Sequence, residues 1–189
     1  QAITSSYTGN SNGYYAVPFA VLNDNTSYAY YLSQSIYAPE EIGASGDISE
    51  LWYYVQYPFT AEKAGLRDVA IYLAHTSISG FTGTDANNFE KDGFTLVYRG
   101  PINFPNAGWN KITLTTPFAY DGSRNLIVCF NDMDYDWYYN GGNNNYFANQ
   151  PKHNSITNSY ATLSARRDPA SGAYDLTSIQ TNAANITYS

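Results

Sequence analysis

The sequence predicts an all-β fold, an antiparallel β-sandwich. Three observations predict it. Helical periodicity is nearly absent along the whole chain. Apolar, β-branched and aromatic runs recur instead, and Gly, Pro, Asn or Asp clusters separate most of them. The length of 189 residues suits one β domain, and a chain of that size buries roughly 70% of its unfolded surface without needing covalent staples.

Strands are expected at Tyr14–Val21, Tyr28–Tyr37, Asp47–Tyr57, Arg67–His75, Thr95–Arg99, Lys111–Thr115, Asn125–Phe130 and Ser159–Arg166, with Ile186-Thr-Tyr188 as a last one. Between the second and third, Pro39-Glu-Glu-Ile42 forms a short helical turn that Pro opens and Gly43 ends. In Asp68-Val-Ala-Ile-Tyr-Leu-Ala-His75, alternation puts Val69, Ile71 and Leu73 on one face and Ala70, Tyr72 and Ala74 on the other. In Lys111-Ile-Thr-Leu-Thr115, Ile112 and Leu114 point inward and the threonines outward. The long stretch 77–93 reads as a loop anchored by Phe81 and Phe89. Strands in this number, without intervening helices, predict a single jelly-roll-like module spanning residues 1–189.

Composition narrows the function. Charged residues make up 13% of the chain and the net charge is −7, with Arg166-Arg167 the only basic doublet, which disfavours nucleic acid as a partner. No apolar run approaches the roughly 18 residues of a membrane-spanning helix, so membrane insertion is not expected. The single cysteine, Cys129, lies in the apolar run Leu126-Ile-Val-Cys-Phe130 and reads as a small buried hydrophobe. A disulfide-free extracellular protein points to a bacterial source. The start at Gln1 suggests a mature or excised fragment. Twenty tyrosines among abundant Asn, Ser, Thr and Gly match the surface of a secreted or cell-surface protein facing polysaccharide.

The most informative stretch is Asn131–Tyr146, which holds three aspartates, one tryptophan and four tyrosines beside a run of amides and two glycines. It is too polar for core. Flat rings receive the C–H face of a sugar, and short polar side chains receive its hydroxyls. Trp137, Tyr135, Tyr138, Tyr139 and Tyr146 supply rings; Asp134, Asp136, Asn140 and Asn143–Asn145 supply hydrogen bonds. If the preceding strand continues past Asp132, then Asp134, Asp136 and Tyr138 share one face and Tyr135, Trp137 and Tyr139 the other, an aromatic platform. The plainer alternative is that many of these rings pack beneath their own loop.

The order of short motifs resembles a domain of secreted and cell-surface proteins of Bacteroidetes. The matching pieces are Ser33-Gln-Ser-Ile-Tyr37, Glu41-Ile-Gly43, Gly46-Asp-Ile48, Ile71-Tyr-Leu-Ala-His-Thr76, Val97-Tyr-Arg-Gly100, Gly108-Trp109, Thr116-Pro-Phe118 and Tyr120-Asp-Gly-Ser-Arg-Asn-Leu126. The resemblance covers about residues 33–130. It implies a β-rich module, placed beside other modules and resembling carbohydrate-binding types, and it carries over no site residues. Relatives have a short turn after the Asn-Leu strand; here the aromatic segment replaces it, and elaborations on a shared scaffold are where individual function resides.

Other chemistry has thinner support. Asp132-Met-Asp-Tyr-Asp136 places carboxylates at alternate positions, but Trp137 stands where an EF-hand loop needs Gly and Asn143 where it needs Glu. A sandwich loop can still hold structural Ca²⁺ through distant segments; solvated acids are the plainer reading, and no cofactor is expected. Glu40 and Glu41 are adjacent on a turn and do not converge on one bond. His75 reads as structural, as does Trp109 behind Gly108, and Trp52 as packed rather than exposed. No nucleophile elbow, zinc-protease motif or phosphate loop occurs, so no catalytic residue is expected. The leading expectation is a non-catalytic, monomeric carbohydrate-binding module. An adhesin or protein-interaction domain, or a spacer between modules, are the alternatives.

Overall fold

The computed structural model describes residues 2–3, 30–55, 58–83, 88–134, 162–167, 173, 175–176 and 187–188. Its strands are β1 (Ala2–Ile3), β2 (Tyr30–Tyr37), β3 (Gly46–Val55), β4 (Val69–Thr76), β5 (Thr95–Gly100), β6 (Gly108–Tyr120), β7 (Asn125–Asp132), β8 (Thr162–Arg167) and β9 (Thr187–Tyr188). Two helical turns accompany them, α1 (Pro39–Ile42) and α2 (Ala61–Ala64). The expected strand at Tyr14–Val21 lies outside the described residues. The fold is all-β and mostly antiparallel, as expected; the β1–β3 pair is parallel.

α1 forms as the sequence indicates. Pro39 opens it, the Glu41 carboxylate accepts the Ala38 N–H at 2.8 Å, and Gly43 closes it in the left-handed region at φ 68°. Glu41 thus caps a turn.

Two sheets lie face to face. One has the order β1-β3-β6, the other β5-β4-β7-β2-β8-β9. Between them, Val69, Ile71 and Leu73 of β4 and Leu126, Val128 and Phe130 of β7 meet Ile48 and Leu51 of β3 and Ile112 and Leu114 of β6. The alternation expected for β4 is present, with all three inward residues fully buried. The ladder is irregular between Ile48 and Glu50, and both Ile48 and Leu51 turn inward although they are three residues apart. The opposing stretch of β6 contains Pro117, which cannot donate to a ladder and is accommodated at such an irregularity.

The six-stranded sheet is also covered on its other side. Leu32, Ile36, Ile127, Cys129 and Leu163 form a second core with Phe81 and Phe89 of the 77–94 loop and with Leu176. This two-sided burial explains why Leu126–Phe130 is a continuous apolar run rather than an alternating one. Gln34 fastens the loop: its Nε2 donates to the Glu90 carbonyl at 2.8 Å and its Oε1 accepts the Glu90 N–H at 2.9 Å. One side chain thereby imitates a strand partner. Cys129 is buried beside Gln34, and burial pushes its thiol up to about 12, so it is inert packing.

The β6–β7 hairpin turn is closed by Asp121, whose carboxylate accepts the N–H groups of Ser123 and Arg124 at 2.9 and 3.0 Å. Those bonds hold its pKa far below the usual carboxylate range. Gly122 sits at φ 75°, and a Cβ there would fall 2.7 Å from the Ser45 Cβ, so both backbone angle and space require glycine. His75 completes the corner, accepting the Asp121 N–H at Nε2 (3.2 Å) and stacking on Tyr120 at 5.7 Å. Partial burial lowers its pKa and keeps it neutral for that role. It is structural, as its position indicated.

Candidate functional site

The segment singled out by the sequence departs from the sheet at a definite point. β7 ends at Asp132, and Met133 still donates its N–H to the Asp68 carbonyl at 2.9 Å. Asp134 then takes a fork from Arg67: Nε and Nη2 donate to its two oxygens at 2.7 Å each, and the Arg67 backbone N–H adds a third bond at 3.0 Å. Asp134 is 7% exposed. The strand therefore does not continue past Asp132, and Asp134 does not stand on an open face as the alternation pattern proposed. A cation 67 positions earlier in the chain draws it inward. The three bonds fix Asp134 against Arg67. A second fork, from Arg99 to Asp68 at 3.0 and 2.9 Å, braces the neighbouring turn.

Of the other residues expected to contact ligand, Tyr135, Asp136, Trp137, Tyr138, Tyr139, Asn140 and Tyr146 lie outside the described residues, as do Asn143–Asn145. Among the described residues no three His, Cys, Asp or Glu side chains are grouped to hold a metal ion. No described helix is long and apolar enough to cross a membrane.

Asp132 is the electrostatic oddity of this corner. Its carboxyl is buried, accepts the Asp134 N–H at 3.0 Å and lies near Asp134 and Asp68. Desolvation first, and those neighbouring carboxylates second, push its pKa well above the ordinary value. A raised folded-state value means the folded chain binds the proton more tightly than the unfolded one. The stabilisation is complete below about pH 4 and is lost as pH rises through the folded value. Asp132→Asn keeps an acceptor for the Asp134 N–H and removes the titration. The variant is expected to melt higher than the parent at pH 8, with the difference shrinking towards pH 4. Parallel melting-temperature curves across that range would contradict this.

A second aromatic feature was not anticipated. Trp109, expected to be structural, is 46% exposed at the start of β6. Trp52 is half-buried on β3, with Lys111 as its direct cross-strand partner, while Trp109 is opposite Tyr54. Glu50 accepts both the Trp52 indole N–H at 3.1 Å and the Lys111 ammonium at 2.8 Å. The ammonium lies 5.7 Å from the Trp52 ring centre. The hydrogen bond to Lys111 is the main reason the Glu50 carboxyl is lowered in pKa. The signal was present in the sequence: extending the Ile112/Leu114 alternation back by two positions turns Lys111 and Trp109 outward.

Comparison of the chain with protein-family models, curated proteins and solved structures finds no match.

Proposed function

We propose that the chain is a non-catalytic carbohydrate-binding module, a jelly-roll-like sandwich of the kind found in secreted or cell-surface proteins of Bacteroidetes. It acts as a monomer, needs no cofactor and holds a polysaccharide against Trp137 and the adjacent tyrosines. The observation that supports this most is the Arg67–Asp134 fork at the root of the aromatic segment. A binding loop gains affinity when its base is rigid, because less ordering entropy is lost when ligand arrives. Here the chain leaves a doubly covered strand and is fastened at the last residue before the rings begin.

The test is affinity electrophoresis in native gels containing plant or host polysaccharides. The parent is expected to be retarded by at least one of them. Trp137→Ala is expected to lose that retardation, at an unchanged melting temperature, since a central stacking ring accounts for at least about 2 kcal/mol of binding. Equal retardation of variant and parent would remove Trp137 from the site.

A further inference from the structure

We propose that the outer face of the β1-β3-β6 sheet is a second saccharide-binding surface, with Trp109 as its stacking ring, Trp52 as a flanking ring, and an uncharged linear polysaccharide as its ligand. The exposed positions of β6 alternate as Trp109, Lys111 and Thr113, and Lys111 and Thr113 are opposite Trp52 and Glu50 of β3. Trp52 and Trp109 are diagonal neighbours across one strand pair, so their backbones stand roughly 7–8 Å apart.

Charge selects the kind of ligand. Lys111 and Glu50 neutralise one another at 2.8 Å, so the charges beside the two rings cancel. The protein carries a net charge of −7, which repels polyanionic glycans at long range. What remains is an indole surface bordered by an ammonium, a carboxylate and a threonine hydroxyl. A pyranose offers the complement, an apolar C–H face ringed by hydroxyls. A protein partner is a poorer fit. Standard interfaces bury about 800 Å² on each side and deplete Lys and Glu from their centre, whereas here Lys111 and Glu50 stand between and beside the rings. The Trp52–Glu50–Lys111 chain of hydrogen bonds holds these groups before any ligand arrives.

The surface is separate from the Tyr135–Tyr146 segment in sequence, and its test separates the two. Affinity electrophoresis is run with hydroxyethylcellulose, galactomannan, arabinoxylan and laminarin, and with polygalacturonate as the charged comparison. Trp109→Ala is expected to weaken binding to at least one uncharged polysaccharide by about tenfold or more. Trp109→Tyr should restore most of it. The exposed position should leave the melting temperature within about 2 °C of the parent. If Trp109→Ala migrates like the parent in every gel, the sheet face is not a site, whatever Trp137 does. If it loses binding while Trp137→Ala does not, the sheet face stands and the loop reading falls. Retardation by polygalacturonate alone, or by no gel, would overturn the proposal.

Discussion

Phe81→Ala is expected to destabilise the protein by about 3–5 kcal/mol, the cost of emptying a fully buried aromatic site. For a domain of this length that corresponds to a fall of roughly 6–20 °C in melting temperature. Phe81 is 1% exposed and packs with Phe89, Leu32, Ile127 and Leu163 on the outer side of the six-stranded sheet. In the same loop Phe89 is buried in this core, Ile78 and Phe94 pack against it, and Gln34 binds the backbone of Glu90. Removing the ring therefore leaves a void and loosens the cover of Cys129. Thermal melts and denaturant titrations check the magnitude, and thiol labelling of Cys129 checks the mechanism. A loss below about 1 kcal/mol, the range of surface changes, would mean the loop is not part of the core.

The second large effect is expected at Arg67. Arg67→Ala leaves the buried Asp134 carboxylate without its fork, and breaking a buried pair on one side costs about 3–5 kcal/mol. The Arg67 side chain is 39% exposed, so water partly replaces it and about 2–3 kcal/mol is the better figure. The neighbouring Arg99–Asp68 pair has the same fork geometry, but its side chains are 53% and 42% exposed. Such a pair contributes no more than about 1 kcal/mol. Burial, not geometry, decides between them. A double-mutant cycle with Asp134→Asn should return a coupling of about 1.5–3 kcal/mol for Arg67. A coupling near zero would show that Asp134 does not anchor the segment.

The strands were legible where burial is simple. Val69–Thr76 is a regular alternation, and Pro39–Gly43 carries both its start and its stop signal. The Asn125–Asp132 strand was legible too, but its reason was not. A run buried on both faces looks the same as any apolar run until the covering loop is placed. The first strand of the parallel pair, Ala2–Ile3, is too short to signal itself. Thr116 and Pro117 hid the full length of Gly108–Tyr120.

The site was only partly legible, for one physical reason. Local pattern says which residue types cluster, while exposure depends on partners distant in sequence. Asp134 looked like a ligand group because Tyr135, Asp136 and Trp137 follow it. The structure shows its carboxylate buried and held in a fork by Arg67. Trp109 looked structural because it follows a strand-opening glycine, yet the pairing of β3 with β6 leaves it outward.

The proposed site requires the indole of Trp137 to stand open and to lie against sugar. Tryptophan occurs three times in the chain, at 52, 109 and 137, so a Trp52→Phe/Trp109→Phe variant emits from Trp137 alone. Its fluorescence, titrated with the polysaccharide that retards the parent, is the direct measurement. The expected result is emission typical of a solvated indole, quenched freely by acrylamide, that shifts to shorter wavelength and becomes protected as polysaccharide is added. Short-wavelength emission already shielded in the free protein, and unchanged by the polysaccharide, would contradict it.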